Sequence, residues 1–166
     1  MCQLIQGSHT YPDRLFFMGG VDTIRGFTQD SLIPEDIAQQ LLDAHALSEA
    51  APGDNELLTV DRILIRGGDV FVNPRAEWRI PITSSVQTAI FLDTGNLWSS
   101  LRAFQDLKFR LRYAAGSGIR IATPVGPLVF DYGFNLDRVL DELDSSRKRQ
   151  RFWESLGAFH FSIGLF

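Results

Sequence analysis

Charged side chains recur at every second position in several stretches of the chain. Arg75, Glu77 and Arg79 form one set; Asp93, Arg112, Arg120 and Asp131 sit in three others. Two carboxylates can share acid–base work, and Glu77 with Asp93 offers the residue types of a glycoside-hydrolase pair. No nucleophile or cofactor motif accompanies them, so an enzyme is not expected. The same residues suit a different chemistry, because a guanidinium is a planar fork that takes a carboxylate bidentately. Ion pairing is therefore the alternative to set against ordinary solvated charges.

Other candidates are weaker. Gly116-Ser117-Gly118 is too short for a nucleotide-binding fingerprint and falls inside an alternating segment, which points to close packing. Cys2 is the single cysteine, and His9, His45 and His160 are scattered, so neither a metal nor a cofactor is expected. Arg147-Lys148-Arg149-Gln150-Arg151 is a basic run that suits either solvent or lipopolysaccharide phosphates. The net charge of −4 gives no reason to expect a nucleic-acid partner.

The elements that hold these charges read as strands. Val72, Pro74, Ala76, Trp78, Ile80 and Ile82 share one face, against Asn73, Arg75, Glu77 and Arg79. After a Thr83-Ser84-Ser85 turn, Val86, Thr88, Ile90 and Leu92 oppose Gln87, Ala89, Phe91 and Asp93. A connection from about 94 to 109 leads to a third strand near 110–122, in which Leu111, Tyr113, Ala115, Ile119 and Ile121 oppose Arg112, Ala114, Gly116, Gly118 and Arg120. The proline-marked turn at 123–127 precedes a fourth strand near 128–135. A polar stretch from Leu136 to Ser155 precedes the fifth, near 157–166. In the front third, Pro34-Glu35-Asp36 begins a helix with Ile37, Leu41, Leu42 and Leu47 on its apolar side; the acids there oppose the positive end of the helix dipole.

One apolar face per strand fits either half of a soluble β-sandwich binding module or a section of a membrane barrel. The charged opposite face suits a water-filled lumen. Trp78, Tyr113, Phe130, Tyr132 and Phe159 suit aromatic girdles, and long and short connections alternate as barrel loops and turns do. No run of about 18 apolar residues predicts a membrane-spanning helix. Met1-Cys2-Gln3-Leu4-Ile5-Gln6 lacks the regions of a secretory signal, so an export signal is expected outside this chain.

The series Phe16-Phe17-Met18-Gly19-Gly20-Val21-Asp22-Thr23-Ile24-Arg25-Gly26-Phe27 resembles the signature of the BamA/TamA bacterial surface-antigen family. The resemblance continues in order through Gly67-Gly68, Glu77, Ala89-Ile90-Phe91-Leu92-Asp93-Thr94-Gly95-Asn96-Leu97-Trp98, Gly116-Ser117-Gly118-Ile119-Arg120 and Thr123-Pro124-Val125-Gly126-Pro127-Leu128. It ends on Phe159-His160-Phe161-Ser162-Ile163-Gly164-Leu165-Phe166, and spans residues about 14 to 166.

That resemblance implies an all-β membrane-barrel fold: an antiparallel up-and-down sheet of about five strands, the C-terminal section of a roughly sixteen-stranded barrel. Residues 1–69 would form an inward-folded loop region with one helix, and 70–166 the last five strands. It implies a role in inserting or translocating proteins at the bacterial outer membrane. The partners implied are outer-membrane lipid and lipopolysaccharide, unfolded client proteins, and periplasmic domains or accessory lipoproteins. Five strands do not close a barrel, so a fragment or truncated reading frame is expected. In the family the loop arginine pairs with acids on the wall. Carried over, these are Arg25, Glu77 and Asp93, with Phe91 beside them, Gly26 and Phe27 completing the motif, and Gly19 and Gly20 shaping the loop. Phe161, Ile163 and the terminal Phe166 match a C-terminal strand signal. Family members often have one more residue before the last aromatic, and strand parity here puts Phe166 on the face opposite Phe161 and Ile163.

Overall fold

A computed structural model describes residues 15–50, 67–106, 110–124, 126–143 and 154–164. Its strands are β1 (Val70–Val72), β2 (Arg75–Pro81), β3 (Val86–Trp98), β4 (Arg112–Ile121), β5 (Leu128–Asn135) and β6 (Gly157–Ile163). The helices are α1 (Glu35–Ala50), α2 (Leu101–Asp106) and α3 (Leu136–Leu143). All strand pairings are antiparallel, and β3 to β6 pair in chain order. Both β1 and β2 pair with β3, through Val70↔Trp98 and Arg75↔Asp93, so the six segments occupy five strand positions. The result is the expected up-and-down sheet, curled as a section of barrel wall.

Several boundaries depart from the alternation. The first strand was expected to run unbroken through Pro74, but it breaks at Asn73-Pro74. Proline has no N–H to donate to the ladder, and the Pro74 carbonyl keeps one bond, from Thr94 N at 3.0 Å. The connection expected from about Thr94 begins later, because β3 runs on to Trp98. Thr94-Gly95-Asn96 has the composition of a turn. Burial overrides it: Asn96, Leu97 and Trp98 are all fully buried. The polar stretch from Leu136 begins with α3, and the connection after β3 contains α2; neither helix was expected. Helix α1 starts where Pro34 predicted, with Ala38 N donating to Pro34 O at 2.9 Å.

The distribution of burial across the sheet is inverted relative to a water-soluble protein. On one face Trp78 is 71% exposed, Phe159 63% and Ile90 54%, and Ile119, Tyr132, Phe134, Phe161 and Ile163 are also exposed. Register places these outward residues in rows, as in Thr88↔Ile119↔Phe130↔Phe161, with the Phe130 and Phe161 rings 5.0 Å apart. On the other face Asp93, Arg112, Arg120, Asp131 and Asn135 are buried.

The segment 16–34 covers much of this face, and Glu35 and Glu154 meet Arg112 at one end of it. The segment's base is closed by a bridge between Phe16 and Gly68, each donating its N–H to the other's carbonyl at 2.8 and 2.9 Å. Met18, Ile24, Phe27 and Leu32 pack with Leu97 and Ala114 to make the apolar core. The core therefore lies between the loop and the charged face of the sheet, and the outward face has no share in it.

Candidate functional site

The loop reaches the wall because several inward positions of the sheet are small. Ala89, Ala114, Gly116, Gly118, Gly133 and Ala158 all point to this side, by the same parity as Asp93 and Asp131. A Cβ on Gly133 would overlap the Arg25 carbonyl, and a Cβ on Gly26 would lie 2.6 Å from that of Ala114. Gly26 is thus required for space rather than for an unusual backbone angle. Gly19 and Gly20 differ: their φ values of 110° and 100° lie where side chains are strained. They fold the loop back so that Gly20 N reaches Phe27 O at 3.0 Å.

Arg25 is delivered to the centre of the charged face and is 2% exposed. Its Nε and Nη2 bond the two Asp93 oxygens at 2.7 and 2.8 Å, the bidentate geometry a guanidinium favours. Its Nη1 bonds Glu77 at 2.6 Å and Asp131 at 3.1 Å, and its own backbone N–H donates to Asp93 at 3.2 Å. The guanidinium carbon lies 3.5 Å from the centroid of the Phe91 ring, a cation–π contact. His160 on β6 sits 3.0 Å from the Arg25 carbonyl, so the last strand also touches the loop. Burial works to lower the arginine's pKa. The hydrogen bonds to Asp93, Glu77 and Asp131 more than offset it, so the group is held above its ordinary value and stays a cation.

The acids are shared with further arginines. Arg120 bonds Asp131 at 3.0 Å and Glu77 at 3.0 Å, and Arg79 bonds Glu77 at 2.7 Å. Arg75 approaches Asp93 at 3.5 Å and donates to the carbonyls of Asp22 and Val21 at 2.8 and 3.1 Å. Arg75, Arg79, Arg120, Glu77 and Asp131 line an open cavity of about 320 Å³ with Asp22, Arg25 and Ser162. This arrangement fixes a loop by charge-assisted hydrogen bonds.

A second buried polar cluster lies toward the other end of the same face. Arg112 bonds Glu154 at 2.7 Å, approaches Glu35 at 3.5 Å and donates to the Ile33 carbonyl at 3.0 Å. Asn96 donates to Glu35 at 2.9 Å, and Asn135 to Glu154 at 3.1 Å. Asp36 accepts from Ser99 N at 3.0 Å and from the Ser99 hydroxyl. The two acids read as helix-dipole partners at the start of α1 thus also tie that helix to the sheet. Asn135 Oδ1 accepts from Arg138 N at 3.3 Å, which caps α3. Asn135→Ala is expected to lose that cap and the Glu154 bond, destabilising α3 by about 1–2 kcal/mol. Faster amide exchange across 136–143, with 19–27 unchanged, is the expected readout.

The structure brings together Arg25, Gly26, Phe27, Glu77, Phe91 and Asp93, with Gly19 and Gly20 at the base of the turn. Asp131 and Arg120 belong to the same cluster and were not singled out, although strand parity already placed both on this face. Arg112, Glu35 and Glu154 were also missed as partners, because Glu35 and Glu154 lie outside the strands, where two-residue parity does not apply. Phe161 and Ile163 lie on the outward face of β6 and are exposed. Phe166, the run 147–151, Cys2, His9 and the side chains of His45 and Leu47 lie outside the described residues.

The family described as the Omp85 superfamily domain matches residues 3–166. The outer membrane protein assembly factor BamA of Nitratidesulfovibrio vulgaris is 27% identical over 151 residues, 91% of this chain and 15% of that protein. The chain therefore spans about 15% of the length of that curated relative. Among solved structures, BamA from Haemophilus ducreyi lacking POTRA domains 1–3 matches with a TM-score of 0.52 and 21% identity. That match covers 90% of this chain and 26% of the other, and shows a shared fold.

Proposed function

The chain belongs to the Omp85 superfamily, and on that premise we propose that it is the C-terminal section of an outer-membrane barrel that assembles other outer-membrane proteins. The observation that carries this reading is the inverted sheet. Its apolar face is open, while its charged face is covered by a loop held through Arg25. Hydrocarbon is the solvent that tolerates the first, and a lumen the place that tolerates the second. A soluble β-sandwich module would need to cover Trp78, Ile90, Ile119 and Phe159 with a second sheet. Among the described residues no such sheet exists.

On this reading residues 1–69 are the inward loop region and 70–166 the wall, completed by strands that pair with the free edges of β2 and β6. The outward face meets membrane lipid, and the ends of the longer connections meet lipopolysaccharide. Unfolded outer-membrane proteins are the clients, served together with periplasmic domains and accessory lipoproteins of the whole assembly. The role is insertion or translocation rather than catalysis: the Arg25 cluster holds a loop in place and transforms no substrate.

Conditional depletion of the full-length protein tests this directly. Folded, heat-modifiable β-barrel proteins are expected to fall in the outer membrane while their unfolded forms accumulate in the periplasm. Unchanged levels of folded barrels under complete depletion would overturn the proposal.

A further inference from the structure

Helix α3 carries two faces. At 100° per residue Leu136, Val139, Leu140 and Leu143 fall on one side, and Asp137, Arg138, Asp141 and Glu142 on the other. A helix on a water-facing protein surface turns its apolar side inward. Here the pattern departs from that rule at Arg138, Leu140 and Leu143, while Glu142 is exposed and Leu136 and Val139 are half-buried. Arg138 is buried at 8% exposure, with its Nε donating to the Glu154 carbonyl at 3.1 Å. Leu140 is 52% exposed and Leu143 76%. At these three positions the helix repeats the inversion of the sheet it follows.

It is also continuous with the outward face. Helix α3 starts on the residue after Asn135, the end of β5, and the outward Phe134 just before it is exposed. The Asn135 amide donates to the carbonyl of Leu156 at 2.9 Å, which brings a further exposed leucine to the same end of the wall. This end lies opposite the short turns at 82–85 and 122–127, since antiparallel strands alternate their connections between two ends.

We infer that α3 is an interfacial helix, with Leu140 and Leu143 seated against lipid acyl chains at that end of the barrel. The inference rests on the outer-membrane reading above. Two exposed leucines beside a buried arginine select lipid over water, and their closeness in the chain to the exposed Phe134 selects the lipid that already borders the wall. Its polar side, locked to the protein through Arg138, keeps the helix parallel to the rim instead of free to roll.

Single nitroxide labels on introduced cysteines in the full-length protein, with its own cysteines replaced by serine, would test this. The protein would be placed in vesicles of phosphatidylethanolamine and phosphatidylglycerol. Collisions with oxygen, which concentrates in lipid, are compared with those of a water-soluble nickel chelate at positions 119, 142 and 143. Position 119 on the strand face is expected to favour oxygen strongly, 143 to favour it less, and 142 on the polar side to favour nickel. If 119 favours oxygen while 143 matches 142, the inference fails and the barrel reading stands. If 143 is shielded from both reagents, a protein neighbour covers it and the inference also fails. If 119 itself favours nickel, the membrane reading fails and takes the inference with it.

Discussion

Replacing Arg25 with alanine in the full-length protein is expected to unseat the loop and abolish most assembly activity while the barrel still forms. Asp93 loses its bidentate partner and keeps Arg75, at 3.5 Å, and the backbone N–H of residue 25 for as long as the loop stays docked. Asp131 and Glu77 keep Arg120. Removing one side of a buried pair leaves the other charge poorly solvated, at a cost of about 3–5 kcal/mol. That shifts the balance between docked and released loop by roughly two to four powers of ten, at about 1.4 kcal/mol per tenfold. The apolar contacts of Met18, Ile24 and Phe27 oppose release but do not replace the lost fork. Arg25→Lys keeps the charge and forfeits the bidentate geometry and much of the stacking on Phe91, so an intermediate phenotype is expected. Protease sensitivity of residues 19–27 in isolated outer membranes, read beside the level of newly folded barrels, measures both consequences. Wild-type activity in Arg25→Ala with a protected loop would contradict the role given to the cluster.

Gly133→Val is expected to have an effect of the same kind without touching any charge. The Cβ would overlap the Arg25 carbonyl, and the obstacle is backbone on both sides, so neither partner can rotate away. The loop must lift from β5, and the bonds from Arg25 to Asp131 and Asp93 lengthen with it. Strand formation itself should not suffer, because valine suits a pleated sheet. A control comes from the neighbouring strand: Ser117→Val, on the outward side of the wall, should leave loop protection and assembly unchanged. If Gly133→Val and Ser117→Val behave alike, close contact between loop and wall is not needed for function.

Much of this was legible in the sequence because membrane-barrel strands carry a strict two-residue alternation. The parities of Glu77, Asp93, Arg112, Arg120 and Asp131 all held, and the Arg-Gly-Phe series named the arginine that meets three of them, Glu77, Asp93 and Asp131. What alternation does not reveal is register. Parity placed Asp131 on the inward face; only the pairing of Gly118 with Asp131 and of Ala114 with Asp93 places it within reach of Arg25. The break at Pro74 follows from a missing N–H, whereas the extension of β3 through a turn-like Thr94-Gly95-Asn96 was decided by burial under a loop distant in sequence. Helix α3 was hidden because its leucines are interleaved with acids and read as polar. Its 3.6-residue period is visible only once the segment is treated by itself. The Arg112 cluster had no sequence signal, since Glu35 and Glu154 come from segments far apart in the chain.

The central claim is that this sheet is inside out, with its charged face closed by the Arg25 loop and its apolar face in lipid. Cysteine scanning of β3 in native outer membranes tests it most directly, with single cysteines at Thr88, Ala89, Ile90, Phe91 and Leu92. Each is probed with a lipid-dissolved maleimide and with a small water-soluble one. Positions 88, 90 and 92 are expected to react from lipid. Positions 89 and 91 should resist both reagents until Arg25→Ala releases the loop, and then react from water. Shielding of 88, 90 and 92 together with free aqueous labelling of 89 and 91 in the wild-type background would contradict the account.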